Sequence, residues 1–255
     1  MLRTSDGGRT WTSQPVEGGP FTLNAATFAD AMHGLIVGHT GASALVMRTV
    51  DGGAYWARQE APTRYPLDSV DMSDGNTGTT IGGPGLVFRT VDGGVTWSPQ
   101  TSGTDAELDD VVMVGSSIGW ITGDKGTILR TEDGGASWQA QDGHTKNRIR
   151  SIDSVSGSVA IAVGDGGTIL YTNDGGNTWV AQWSGTSANL FGVSLGERMT
   201  ALVAGDDGTV LETINGGHNW VRSNIATDRW LSDALIVDAS TRIVVGDGAI
   251  LRASR

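Results

Sequence analysis

Residues Gly123–Trp138 read Gly-Asp-Lys-Gly-Thr-Ile-Leu-Arg-Thr-Glu-Asp-Gly-Gly-Ala-Ser-Trp, and the second half of that stretch recurs along the whole chain. The string Thr-x-Asp-Gly-Gly-x-x-Trp stands at Thr4–Trp11, Thr49–Trp56, Thr90–Trp97, Thr131–Trp138 and Thr172–Trp179. A sixth copy, Thr213–Trp220, carries Asn215 in the acidic place. That place therefore falls at Asp6, Asp51, Asp92, Asp133, Asp174 and Asn215, with one step of 45 residues and then steps of 41. Six copies in such register mark a repeat architecture, which has to be recognised before any single residue is interpreted.

The register reaches beyond the string. Gly82, Gly123, Gly164, Gly205 and Gly246 keep the 41-residue step, each closing an apolar run such as Ile161-Ala162-Val163-Gly164. Leu67, Leu108, Ile149, Leu190 and Leu231 keep it too, and Leu23 joins them once a short insertion near Ala42–Ala44 is allowed. Each unit then reads as four short strands: one from near Leu67 to Met72, one ending at Gly82, one before the string, and one carrying its Trp. Four strands at a period of roughly 40–50 residues predict an all-β propeller of antiparallel blades, since one such unit cannot bury both faces alone. The repeats run near 15–59, 60–100, 101–141, 142–182 and 183–223, in a single domain covering 1–255. Residues 224–255 and 1–14 are expected to close a six-bladed propeller as one split blade. The third strand of that blade is supplied twice, by Leu2-Arg3-Thr4 and by Ile250-Leu251-Arg252, so a seven-bladed form with an incomplete terminal blade stays open.

Composition narrows the function. The 255 residues include 39 Gly, 9 Trp and no Cys, with a net charge of −11. That charge argues against nucleic acid as a partner. Without Cys there are no disulfides, Cys-type zinc sites or thiol catalysis, and neither a metal nor a cofactor is expected. No apolar run approaches the roughly 18 residues of a spanning helix. Met1–Gly7 lacks the charged-then-apolar pattern of a secretory signal.

The repeated string explains itself as structure. Gly adopts the backbone of a tight turn, Asp can accept bonds from turn N–H groups, and the Trp ring can cover the hairpin. Asp6, Asp51, Asp92, Asp133, Asp174, Asn215 and Trp11, Trp56, Trp97, Trp138, Trp179, Trp220 are accordingly assigned to the scaffold, because a catalytic group is needed once and not in every blade. A second repeated acid, in Gly123-Asp124-Lys125-Gly126, Gly164-Asp165-Gly166-Gly167, Gly205-Asp206-Asp207-Gly208 and Gly246-Asp247-Gly248, reads as the turn between the second and third strands.

Function is sought where equivalent positions differ. Propeller ligands meet the loops and first strands near the central channel, and the matching first-strand positions are Asn24, Asp68, Asp109, Arg150, Phe191 and Ser232. Lys146 and Arg148 add a basic cluster with Arg150, opposite the acids Asp71, Glu107, Asp110 and Asp233. This set is the candidate binding site, for a peptide or a sugar. No catalytic residue is assigned. A glycosidase would need two carboxylates roughly 5–10 Å apart, for which Asp68 with Asp109 or Asp110 are the candidates; Trp183, Trp230 and Phe191 are the available aromatic platforms.

The Thr-x-Asp-Gly-Gly-x-x-Trp strings resemble the Asp-box, or bacterial neuraminidase repeat, superfamily. The longer unit Gly-x-x-Gly-Thr-Ile-Leu-Arg-Thr-x-Asp-Gly-Gly-x-x-Trp, clearest at Gly123–Trp138 and Gly164–Trp179, is similar to that of the photosystem II assembly and stability factor family. The resemblance covers nearly the whole chain. It implies a non-enzymatic, extracytoplasmic propeller that binds a protein or peptide partner, a membrane-complex subunit during assembly, through a basic patch. That patch has no residue-by-residue counterpart here; Arg148 and Arg150 with Lys146 resemble a remnant of it. The chain is expected to be a monomer with no membrane span. The alternatives are a sialidase-like or other Asp-box glycoside hydrolase and a cell-surface recognition module.

Overall fold

The computed structural model describes residues 1–16, 19–223 and 227–254. It is an all-β propeller of six blades with only single 3-10 turns of helix. Two compact units divide the chain, one comprising Gly18–Arg148 and the other Met1–Glu17 with Ile149–Arg255. A two-residue hairpin pair, β1 (Leu2–Arg3) and β2 (Thr12–Ser13), opens the chain.

In Gly18–Arg148, blade 1 is β3 (Thr22–Phe28), β4 (Gly34–Thr40), β5 (Ser43–Thr49) and β6 (Ala57–Gln59). Blade 2 is β7 (Ser69–Met72), β8 (Gly78–Gly82), β9 (Leu86–Thr90) and β10 (Ser98–Thr101). Blade 3 is β11 (Leu108–Val114), β12 (Ile118–Gly123), β13 (Thr127–Thr131) and β14 (Gln139–Asp142). The second unit holds blade 4, β15 (Ile149–Ser154), β16 (Ala160–Gly164), β17 (Thr168–Thr172) and β18 (Val180–Ala181). Blade 5 follows as β19 (Leu190–Leu195), β20 (Ala201–Gly205), β21 (Val210–Thr213) and β22 (Val221–Arg222), and blade 6 as β23 (Asp233–Ile236), β24 (Thr241–Gly246) and β25 (Ala249–Ser254). Strands pair antiparallel in sequence order within each blade. The fourth strand starts just after the box Trp rather than containing it, because the turn bonds hold the chain up to the residue before it.

Blade faces alternate apolar residues and pack on the neighbouring blade. Leu35, Val37 and Val46 of blade 1 meet Val70 and Phe88 of blade 2, and Ile81 and Val87 of blade 2 meet Val111, Ile121 and Leu129 of blade 3. In the other unit Ile161, Val163 and Ile169 pack on Val193, Val203 and Leu211, and Leu202 and Val210 pack on Ala234 and Val244. Each such side chain contributes about 1.5–3 kcal/mol when fully buried. Polar clasps join the same blades: Asp71 accepts Met113 N–H at 2.7 Å, and Asp153 accepts Leu195 N–H at 2.7 Å.

The box behaves as its composition predicts. In blade 3 the Thr131 hydroxyl donates to Asp133 at 2.8 Å and accepts Gly135 N–H at 2.9 Å, while Asp133 accepts Ser137 N–H at 2.9 Å. Gly134 and Gly135 have φ of 68° and 82°, the left-handed region glycine adopts without strain. In the sixth copy the Asn215 carbonyl accepts the Thr213 hydroxyl and Asn219 N–H, so the neutral residue preserves the turn. Trp56, Trp138 and Trp179 are buried.

The residue before the box Thr supplies a tie between blades. Arg48 Nε donates to Gly93 O at 2.8 Å and Arg89 Nε to Gly134 O at 2.7 Å, each reaching the box of the next blade. Arg252 Nε makes the same bond to Gly7 O at 3.1 Å. The closure differs here from a simple merging of the chain ends. The third place of blade 6 belongs to β25, so among the described residues blade 6 has three strands. β1 and β2 pair with each other as a separate sheet, and that hairpin stands to blade 6 as a box hairpin stands to the blade before it.

Candidate functional site

The repeated glycine at the end of each second strand creates the site positions. Gly38, Gly123, Gly164 and Gly205 lie across from Leu23, Leu108, Ile149 and Leu190, and the register slips just after each of these first-strand residues. A Cβ on Gly123 would lie 2.2 Å from Glu107 O, on Gly205 2.3 Å from Asn189 O, and on Gly38 2.0 Å from Thr22 O. Only glycine admits that backbone approach. The residues left out of the ladder by the slip are Asn24, Asp109, Arg150 and Phe191, and a bulge of this kind re-aims a side chain. Four of the six predicted positions are therefore bulge residues.

In Gly18–Arg148 the site is a carboxylate cluster around one arginine. Asn24 Nδ2 donates to Leu67 O at 2.8 Å and lies 3.4 Å from Asp68 Oδ1. Gly83 N–H reaches the other Asp68 oxygen at 3.3 Å. Burial raises the Asp68 carboxyl above its ordinary range, and Asp109 and Glu107 add to the rise, while Gly83 N–H and Arg148 oppose it. Arg148 grips Asp109 through Nε at 2.8 Å and Nη2 at 2.5 Å, and its Nε lies 3.2 Å from Asp124. Both Asp109 oxygens are thus engaged by the guanidinium fork.

In the other unit Arg150 Nε donates to Asp165 at 2.5 Å, and its guanidinium lies 5.1 Å above the Phe191 ring. Phe191 in turn meets Trp230 edge to face, with centroids 5.5 Å apart. Cation and rings form one ladder, each contact of a type that contributes about 0.5–1.5 kcal/mol. Its outer member, Trp230, is 50% exposed, and Trp183 is 87% exposed. Asn189 Nδ2 donates to Asp206 at 3.0 Å.

The predicted set thus resolves into separate groups. Asn24, Asp68, Asp109 and Arg148 come together in one unit, Arg150 and Phe191 in the other. The Ser232 hydroxyl donates to Val245 O of its own blade, and Lys146 is exposed. The turn acids Asp124 and Asp165 were legible only as turn residues. Their second role, as partners of Arg148 and Arg150, had a signal in the repeat: each follows the glycine that faces the start of its first strand. Among the described residues no helix is long and apolar enough to cross a membrane.

The family model described as "Photosynthesis system II assembly factor YCF48" matches residues 9–103 and 95–184, well over half of the chain. The structure of YCF48 from Cyanidioschyzon merolae superposes with a TM-score of 0.79 at 17% identity, covering 99% of this chain and 88% of that one. A structure of YCF48 bound to D1 peptide aligns with a TM-score of 0.52 at 19% identity, over 96% of this chain and all of that one. The GH74 xyloglucanase of Xanthomonas campestris reaches 0.73 at 15% identity, over 90% of this chain but 44% of the enzyme. At these identities the likenesses show the fold. No curated protein matches the sequence.

Proposed function

We propose that this chain, which belongs to the photosynthesis system II assembly factor YCF48 family, is a binding propeller without chemistry of its own that holds a peptide segment of a membrane-complex subunit during assembly. The observation that carries this reading is the family match over residues 9–184. The bulge residues support it. They differ from blade to blade on a constant backbone, and with their neighbours they offer groups a peptide needs: a side-chain amide at Asn24 beside the Asp68 carboxyl in one unit, and in the other a cation with aromatic faces at Arg150, Phe191 and Trp230. The engagement of Asp109 by Arg148 counts against the glycosidase alternative, which needs one carboxyl free to donate a proton and another to act as base or nucleophile.

Titration calorimetry with a synthetic D1 peptide, the ligand of the related YCF48 structure, tests the proposal. The wild-type protein should bind it saturably, and Arg148→Glu with Arg150→Glu should weaken binding by about tenfold or more, as expected of central anchoring residues. Failure to bind D1 peptide and every subunit peptide tried, with turnover of xyloglucan instead, would overturn it.

A further inference from the structure

The arginine tie between blades is interrupted twice in the unit that contains blades 4 to 6. Arg48, Arg89 and Arg252 lie across from Leu35, Thr79 and Ile243. In the same place blade 4 has Tyr171, across from Ile161, and blade 5 has Glu212, across from Leu202. The box carbonyl that an arginine in blade 4 would reach, Gly216 O, accepts Gln182 Nε2 at 2.7 Å instead. A cleft of about 1010 Å³ opens beside these substitutions, at the upper end of the roughly 300–1,000 Å³ of small-molecule sites.

The cleft walls are apolar, with Val159, Ile161, Tyr171, Leu195, Met199 and Ile236 among them. Arg242 lines the same cleft and is only 7% exposed. Its position is an exception to the repeat. The residue facing the last or next-to-last place of the first strand, at equivalent positions of the repeat, is Gly34, Gly78, Gly119, Ala160 and Ala201 in blades 1 to 5, and Arg242 facing Ile236 in blade 6. Arg242 Nη1 donates to Asp238 O at 2.8 Å and Thr241 O at 3.3 Å, while Nε stands 3.8 Å from Glu212 Oε1, beyond hydrogen-bond reach. The Asp238 carboxyl is turned to Ser240 and Thr241, whose bonds lower its pKa to about 2. A buried cation whose carboxylate partner stands off at that distance gains from a closer anion, because charge-assisted hydrogen bonds are the strong ones.

We propose that this cleft binds a small amphiphilic acid: an aliphatic or aryl body bearing one carboxylate. The body lies among Tyr171, Leu195 and Met199, and the carboxylate meets Arg242. Glu197 and Asp238 also line the cleft and disfavour a polyanion, which leaves a single headgroup on an apolar tail as the match. This ligand is of a different class from the peptide of the bulge residues and uses none of them.

Displacement of 1-anilinonaphthalene-8-sulfonate fluorescence by decanoate reads the site. Decanoate should bind saturably, one per chain, and decanol, which keeps the tail without the charge, about tenfold or more weakly. Arg242→Met should reduce decanoate binding to the level of decanol and leave decanol unchanged. Met199→Asp, at an exposed position, should weaken both ligands without altering the melting temperature. Absence of saturable decanoate binding, or equal binding of decanoate and decanol to the wild-type protein, would overturn the proposal even if Arg242→Met fails to fold.

Discussion

Blades 1 to 3 and blades 4 to 6 share one repeat, yet they fill the end of the first strand differently. In blades 1 to 3 a large apolar residue at the last or next-to-last place of that strand lies on a glycine: Phe28 on Gly34, Met72 on Gly78 and Met113 on Gly119. An added Cβ at those glycines would come within 2.8, 2.3 and 2.5 Å of the ring or sulfur above it. In blades 4 to 6 the pairs are Ser154 with Ala160, Leu195 with Ala201, and Ile236 with Arg242. A glycine faces the large residue in every pair of the first group and in none of the second. The backbone register tolerates both solutions, and the apolar cleft is found with the second.

The largest effect should come from what the two groups share. Trp138 and Trp179 are both buried under their box turns, so Trp138→Ala and Trp179→Ala should each cost about 3–5 kcal/mol in urea denaturation, as a buried aromatic truncation does. A loss below about 1 kcal/mol at either site would show that its indole is not packed, and the boxes would cease to be equivalent.

A smaller effect should separate the groups. Gly119→Ala drives a methyl into Met113 Sδ and close to Val112 O and should cost about 1–3 kcal/mol as overpacking. Ala201→Gly, the reverse exchange in blade 5, should cost about 1 kcal/mol, from backbone freedom and one lost methyl. If Gly119→Ala were neutral in the same denaturation series, the tight pairing of blades 1 to 3 would not distinguish them.

The smallest effect lies in the acid limb of stability. The Ser137 hydroxyl is the main cause holding the Asp133 carboxyl below its ordinary range, with Ser137 N–H and the Thr131 hydroxyl assisting. A carboxyl depressed in the folded state stabilises above its unfolded pKa of about 3.9, and that contribution is lost as pH falls through the folded value. Asp133→Asn should therefore lower stability slightly near neutral pH and flatten its decline below about pH 4. Blade 5 carries this state naturally at Asn215, and its turn is intact. An unchanged acid limb in Asp133→Asn would remove the box acids from the pH dependence.

Legible in the chain alone is whatever closes within a few residues. The Thr, Asp and Gly of each box satisfy one another inside eight residues, so their spacing was enough to fix the turn, the scaffold role of the Trp and, through the 41-residue step, the propeller. The positions Asn24, Asp109, Arg150 and Phe191 were also legible, as places that vary while their flanks repeat. The tertiary structure decided the rest. That those residues sit on bulges follows from a carbonyl approaching a glycine on another strand. That Arg148 is committed to Asp109, 39 residues away, and Arg150 to Asp165, depends on which neighbours the fold brings within hydrogen-bond distance. The cleft beside Tyr171 and Arg242 was hidden for a related reason. A void belongs to no residue; it is what remains when facing side chains from several blades do not fill the space between them.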